Sequence, residues 1–497
     1  MSGMSIRLPN LDSHFSSTYY PRHGGNHPMK RAIIVGGGIS GLATAWLLRE
    51  KALACGIQLE LVLLEKDQRP GGKIRSIHEG GYVCEWGPNG FLDSKPQTLE
   101  LCDAVGVSSD LLRSNDNARK RFIYSDGELH RLPEGGGTFL KSRLISWPGK
   151  LRLALEPTPF IARTPAGVDE SLADFARRRL GGEALDKLIS PMVSGIFAGD
   201  PETMSLVSCF PRIAQLEREY GGLIRAMVRL ARQKKRERAA GKAVSSAAGP
   251  GGVLTSFRPG IQYLTDSLAA SLGGIVMADR EVSWVRRGKS AAWRVGCRDG
   301  GEYDADLVIV ASPAHAASAI LHDCDAGIAS ILESIPYASM TVVCLGYERE
   351  LVSHPLDGFG YLIPKKEGRS ILGTLWDSSM FENRAPTGKV LLRSMVGGAC
   401  FPDYVHMGDD ELLGRVRGDM KDVMGIVAEP SFIRIFRHPQ AIPQYTVGHG
   451  ERLKHLEERL ACHPGLILTG NSYRGIGLND CVAAAQRASD QALELLR

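Results

Sequence analysis

The stretch "AIIVGGGISGLATAWLL", residues 32–48, is apolar for almost its whole length, and the glycines at its centre decide what it is. A membrane span needs about 18 to 20 apolar residues that suit a helix interior, and a secretory signal needs a small-residue cleavage site behind its apolar run. Neither pattern is present. Ala32-Ile33-Ile34-Val35 is short and β-branched like a buried parallel strand, whereas Leu42 to Leu48 has the composition of a helix. Between them, Gly36-Gly37-Gly38-Ile39-Ser40-Gly41 is G-x-G-x-x-G at a strand-to-helix turn. In that spacing Gly36 permits the tight turn, Gly38 lets a pyrophosphate approach the backbone, and Gly41 lets helix and strand pack closely. The phosphates then rest on the helix N-terminus, where free N–H groups and the positive dipole end meet them.

A second strand ending in an acid should follow. Gln58 to Leu64 is that strand, and Glu65 closes it 24 residues after Gly41, placed for a ribose hydroxyl. The motif alone would fit any glycine-rich turn in an α/β domain. Strand, glycine loop, helix, strand and acid in this order predict a Rossmann-type dinucleotide site.

The chain has 497 residues, enough for two or three domains, and its 43% hydrophobic and 23% charged residues are ordinary for a globular protein. A net charge of +5 is small for this length and implies no nucleic-acid partner. The ten cysteines form no CxxC pair and no metal-ligand cluster, which reads as reduced core thiols in a cytoplasmic protein. Residues 1–28 are polar and aperiodic and read as a disordered extension, with Met29 an alternative start. They hold two arginines and no amphipathic pattern, against a transit peptide.

After the ribose acid come "KDQRPGGKIRS", residues 66–76, and "GYVCEWGPNGF", residues 81–91. A plain NAD-binding unit needs no second glycine pair there. Here the chain resembles the flavoprotein superfamily of amine oxidases, phytoene desaturases and protoporphyrinogen oxidases. The resemblance implies FAD, held non-covalently, with Lys66, Gly71, Gly72 and Lys73 contacting it and Gly87-Pro88-Asn89-Gly90 passing beside the isoalloxazine. It also implies a returning C-terminal segment, and "PGLILTGNSYRGIGLNDCVAAAQRAS", residues 464–489, supplies a strand, a glycine-rich loop and an Ala-rich helix. Ile476, Gly477 and Leu478 then lie against the flavin, the backbone of Val282 holds the adenine, and Ala305 to Pro313 completes the cofactor sheet.

The middle of the chain resembles the protoporphyrinogen oxidase family more narrowly, in "KRFIYSDGELHRLP" (120–133), in residues 178–223, in "GFGYLIPKKEGRSILGTLWDSSMFENRAP" (358–386), in "MVGG" (395–398) and in "AIPQYTVGH" (441–449). The match runs from about Lys30 to the C-terminus. It implies an apolar cavity for a porphyrinogen, lined by Phe359, Leu362, Leu375 and Met395, with Arg121 pairing a propionate and the backbone near Gly195 as a suggested proton acceptor. Taken alone, each apolar residue reads as core packing and Arg121 as a solvated strand-edge arginine. The family further implies oxidation of protoporphyrinogen IX to protoporphyrin IX in haem biosynthesis, with dioxygen or another acceptor reoxidising the flavin and hydrogen peroxide as product. Coproporphyrinogen III is the alternative substrate, and a flavin amine oxidase, a carotenoid desaturase or a non-enzymatic FAD-binding homologue are remoter ones.

The expected architecture is α/β: a discontinuous Rossmann-type FAD-binding domain (29–95, 250–313 and 426–497), a mostly helical domain (96–225), a flexible basic loop (226–252) and an interleaved α+β substrate domain (314–425). "FLKSRLISWPGKLRLALEP", residues 139–157, is amphipathic and suits peripheral contact with the cytoplasmic face of a membrane. The basic run from Arg225 suits anionic lipid or, preferably, a solvated helix end. A homodimer and transient hand-over to a metal chelatase are compatible with the family.

Overall fold

Lys30–Val35 is the middle strand of a five-stranded sheet in the computed structural model, which describes residues 29–158, 167–239, 252–289 and 292–497. The sheet order is Val276–Met277, Leu59–Leu64, Lys30–Val35, Leu307–Val310, Leu466–Leu468, and every pairing is parallel. A parallel sheet must be covered on both faces, which is why its strands read as unbroken apolar runs. Side chains alternate accordingly: Ala32 and Ile34 enter one core, Ile33 and Val35 the other. The first core receives the glycine-motif helix Ile39–Ala54, the helix Gln262–Leu272 and the C-terminal helix Leu478–Leu496. The second receives a small antiparallel sheet, Val282–Arg287, Trp293–Cys297 and Glu302–Ala305, with the helices Ala314–Leu321, Ala326–Glu333 and His449–Leu460.

A second, seven-stranded sheet runs in the order Phe432–Pro443, Tyr337–Glu348, Lys389–Gly397, Ile371–Leu375, Gly360–Leu362, Arg121–Ser125, Glu128–Arg131. One face packs Val343, Leu345, Tyr347 and Tyr361 against Leu412, Val416 and Met420 of the helix Asp409–Met424. The opposite face looks toward a helical segment, Leu185–Phe197, whose first turn is a π-helix.

Three expected boundaries shift. Phe432–Pro443 lies within the segment assigned to FAD binding, yet it pairs antiparallel with Tyr337–Glu348 from Gly346↔Phe432 to Tyr337↔Pro443. Its first six residues are only half-buried, which suits an edge strand and not a strand covered on both faces. The hairpin Arg121–Arg131, inside the segment expected to be mostly helical, adds two strands to the same sheet. Residues 226–239 continue the helix Leu223–Ala239, because their Arg, Gln, Lys and Glu are good helix formers. The rest of the expected basic loop, and the expected extension 1–28, lie outside the described residues. Among the described residues no helix is long and apolar enough to cross a membrane.

Candidate cofactor and substrate site

The glycine loop behaves as its spacing predicts. Gly36 has φ +104°, and a Cβ there would stand 3.2 Å from the Ser312 amide nitrogen. A Cβ on Gly41 would fall 1.9 Å from the Gly36 carbonyl oxygen, so strand and helix could not close with any other residue. Gly38, at the N-cap of the helix, has φ −70° and nothing within 4 Å of the position a Cβ would take. The first two glycines serve the protein's own packing, and the third leaves room for something else.

Glu65 follows the second strand with its side chain buried against this loop. Its Oε2 accepts from the Gly37 amide at 2.5 Å and its Oε1 from the Asp67 amide at 2.9 Å. Burial pushes the carboxyl up, against those two amides, and each oxygen keeps a lone pair for a hydroxyl donor. Gly71 bridges Gly38, and Gly72 would bring a Cβ within 3.3 Å of Gly38 Cα, so the second glycine pair lies directly on the first. The Glu65 amide donates to Met277 O and the Arg280 amide to Glu65 O, at 3.0 and 2.8 Å, which brings the approach to Val282 beside the ribose acid. Lys66 is exposed. Lys73 is half-buried, and its Nζ donates to the carbonyls of Gln440 and Ala441, both at 2.6 Å. Desolvation lowers its pKa to about 8.

The helix Leu478–Leu496 starts at Gly477, whose amide donates to Asp480 Oδ2 at 3.3 Å. Asn479 fixes that start: it donates to Leu92 O at 2.9 Å and accepts from Thr98 Oγ1 at 2.5 Å. Ile476 packs on the apolar cluster that contains Val193, Phe197 and Tyr445, so the C-terminal loop and the helical segment that carries Gly195 share one core.

An FAD fits these residues. Ser312 and Thr469 stand just beyond the C-terminal ends of two parallel strands, and Ser312 Oγ and Thr469 Oγ1 are buried with no partner among the described residues. Ligands of open α/β sheets bind at those ends. The open cradle at Gly38, the half-occupied Glu65 carboxylate and these orphaned hydroxyls are what a dinucleotide would satisfy.

The four expected cavity residues and Arg121 come together on the seven-stranded sheet. Register aligns Ile123, Leu362, Gly373 and Met395 in one row and Arg121, Gly360, Leu375 and Arg393 in the next. Paired residues share a face, so Arg121, Leu362, Leu375 and Met395 point the same way, with Gly360 and Gly373 leaving the face low between them. Phe359 joins them: its ring lies 5.2 Å from the Arg121 guanidinium, and it and Leu375 pack against the same cluster of Leu112, Met380 and Phe381. All four apolar side chains are half-buried, whereas most of their neighbours on the strands Ile371–Leu375 and Lys389–Gly397 are buried. Gly195 sits opposite, where a Cβ would come within 2.9 Å of both Leu362 methyl groups.

Cations near this face are mostly neutralised. Lys120 pairs with Asp357 at 2.7 Å and Lys365 with Asp200 at 3.2 Å, and Lys366 pairs with Asp186. Arg121 is exposed and has no carboxylate partner among the described residues.

Sequence reasoning missed a buried charged set where the seven-stranded sheet meets residues 85–87. Arg393 Nε is 2.9 Å from Asp377 Oδ2, and Arg393 Nη1 donates to Gly87 O at 2.9 Å. Nearby, Arg384 lies 3.7 Å from Glu85, both 1% exposed. Burial pushes the Asp377 and Glu85 carboxyls up, against the attraction of these arginines. The usable signal was an arginine inside "VLLRSMV", residues 390–396, a strand too apolar to face water.

The model of flavin containing amine oxidoreductases matches residues 39–493. The chain is 32% identical over 477 residues to coproporphyrinogen III oxidase of Bacillus subtilis, covering 94% of this chain and 98% of that protein. It is 31% identical to the chloroplastic protoporphyrinogen oxidase of Oryza sativa, covering 93% and 88%. A crystal structure of an Exiguobacterium sp. 255-15 protein superposes with a TM-score of 0.79 at 29% identity, covering 94% and 99%.

Proposed function

The chain belongs to the flavin containing amine oxidoreductase family and is an FAD-dependent oxidoreductase, and from that premise we propose that it oxidises a porphyrinogen in haem biosynthesis, protoporphyrinogen IX before coproporphyrinogen III. Bound FAD would supply the two-electron acceptor, with dioxygen the proposed onward oxidant and hydrogen peroxide its product. The chain's own residues bind, orient and desolvate. Leu362, Leu375, Met395 and Phe359 offer an apolar wall for a large macrocycle, with the backbone around Gly195 opposite. Arg121 takes a propionate as a planar charge-assisted pair.

One observation bears on the choice of substrate: among the described residues Arg121 has no acidic partner, while Lys120, Lys365, Lys366 and Arg393 on or beside the same face each have one. A ligand with two propionates asks for fewer cations than one with four. The second reading, coproporphyrinogen III, is favoured by the name of the 32% identical Bacillus subtilis relative. Steady-state kinetics of the purified enzyme with both porphyrinogens, read by porphyrin fluorescence, decides: a higher kcat/KM for coproporphyrinogen III reverses the order, and peroxide from amines with no porphyrin formed overturns the reading.

Peripheral membrane contact is assigned to the segment from Leu140 to Leu155. Leu140, Trp147, Leu151 and Leu155 are 57, 71, 66 and 46% exposed, more apolar area than a solvated helix normally shows. Co-sedimentation with anionic vesicles should fall when Trp147 and Leu151 are both changed to Ser; equal sedimentation of parent and variant removes the assignment.

A further inference from the structure

Beyond the far face of the parallel sheet, Cys324, His463 and Asp325 stand in the order thiol, imidazole, carboxylate. Cys324 Sγ is 3.9 Å from His463 Nδ1, and His463 Nε2 is 2.9 Å from Asp325 Oδ2. Asp325 is fixed as a carboxylate. Its Oδ1 accepts from the Gly327 and Ile328 amides at 2.8 and 3.0 Å, at the N-cap of the helix Ala326–Glu333, and from Arg459 Nη2 at 2.7 Å. Desolvation opposes ionisation there, but Arg459, the amides and His463 hold the group well below the usual carboxylate range. An ionised Asp325 can only accept, so Nε2 carries a proton, and in the neutral ring Nδ1 then turns its lone pair to the thiol.

The cap and the Arg459 pair explain why Asp325 is where it is, but they need no thiol. Cys324 is half-buried, and burial followed by the Asp325 charge pushes its pKa up. The resting group is therefore a thiol that reacts only if a base takes its proton, and His463 is in place to do so. The other charged groups facing it are Arg287, whose guanidinium lies 4.4 Å from the Trp293 ring, and Arg459. His463 also lines a cavity of about 730 Å³ between the helix His449–Leu460, the edge strand Leu466–Leu468 and the C-terminal helix, so the imidazole is reachable by small solutes.

We propose that Cys324 is a nucleophilic thiol, with His463 as its base and Asp325 orienting the imidazole, and that the class of electrophile it meets is a hydroperoxide. His463 Nδ1 takes the thiol proton, sulfur attacks the distal oxygen of the peroxide HO–OR, the O–O bond breaks, and the leaving RO⁻, hydroxide from hydrogen peroxide or alkoxide from an organic hydroperoxide, takes the proton back from His463 as water or alcohol. Sulfur is oxidised by two electrons to sulfenic acid while the peroxide is reduced by two. This site shares no residue with the flavin site and does not depend on the substrate reading above.

The test uses FAD-loaded protein treated with a small excess of hydrogen peroxide, with dimedone trapping and peptide mass spectrometry of all ten cysteines. Cys324 should be trapped at least tenfold faster than Cys209 and Cys400, which are also half-buried but contact a backbone carbonyl and Asp200 instead of an imidazole. His463→Asn should bring the Cys324 rate down to theirs with FAD retention unchanged, and Cys324→Ser should leave flavin turnover at the parental rate. Cys324 trapping no faster than Cys400, or a rate indifferent to His463→Asn, overturns the proposal. Where His463→Asn loses FAD, His463→Gln decides: a Cys324 rate reduced to that of Cys400 supports the proposal, and a rate equal to the parent's overturns it.

Discussion

Arg393 and Asp377 face each other 2.9 Å apart, each side chain 3% exposed, and the same guanidinium donates to the Gly87 carbonyl, so one buried arginine ties the seven-stranded sheet to the segment expected beside the flavin. Removing one member of a buried pair leaves an uncompensated charge, at a cost of about 3–5 kcal/mol. Arg393→Met should lower the thermal midpoint and release flavin, and Arg393→Met with Asp377→Leu should recover most of the loss. A single variant as stable as the parent contradicts this.

Gly38 and Gly41 separate ligand binding from packing. Gly41→Ala meets the Gly36 carbonyl at 1.9 Å and should destabilise the protein with or without FAD. Gly38→Ala meets nothing within 4 Å at a permissive φ, so the cofactor-free protein should keep its thermal midpoint while FAD affinity falls at least tenfold. Titration calorimetry and thermal denaturation of both variants check the contrast.

Lys73 titrates near 8 without cofactor because it is desolvated. An FAD phosphate beside Lys73, as the family resemblance implies, would favour the ammonium form and raise that pKa, so FAD binding should take up a proton above pH 8 and affinity should fall as pH rises through that value. Binding curves between pH 7 and 9.5 should show the decline, and Lys73→Met should flatten them.

His449 is 1% exposed, with Nε2 on the Tyr473 carbonyl at 2.9 Å and its ring stacked 4.3 Å from Tyr445. Burial lowers its pKa to about 4. Between that value and the ordinary 6.5, the unfolded chain binds the proton and the native state does not. Stability should therefore drop as pH falls through this window, by up to about 1.4 kcal/mol per pH unit. His449→Gln should remove the slope, as seen by denaturant unfolding at several pH values.

Arg121→Ala should raise KM for the porphyrinogen roughly tenfold with little change in kcat, because a propionate contact is made equally in ground and transition states. Lys365→Ala, which breaks only a half-exposed pair with Asp200, should leave KM near the parental value.

How much of this was legible depended on how local the signal was. The glycine loop, its flanking strands and Glu65 are written in one continuous stretch, and each residue type has a single physical reason to be there. The apolar face bearing Leu362, Leu375 and Met395 was reached only through family resemblance, since alternation alone cannot tell a cavity wall from a core. Phe432–Pro443 was misassigned because an edge strand has no burial signature of its own and its partner lies far away in the chain. Glu85, Asp377, Arg384 and Arg393 are scattered charges in sequence and become a group only through sheet register.

The parallel sheet draws its middle strand from the beginning of the described chain, its neighbour from Leu307–Val310, and its edge from Leu466–Leu468, with the helix Leu478–Leu496 closing the first core. On the ribosome, the glycine loop therefore emerges long before the pieces that enclose it. A nascent or prematurely terminated chain carries half a cofactor site with its apolar faces uncovered, the kind of species that aggregates or is degraded. Cofactor retention therefore requires that synthesis has passed Leu466–Leu468 and the helix Leu478–Leu496, whatever the state of the glycine loop.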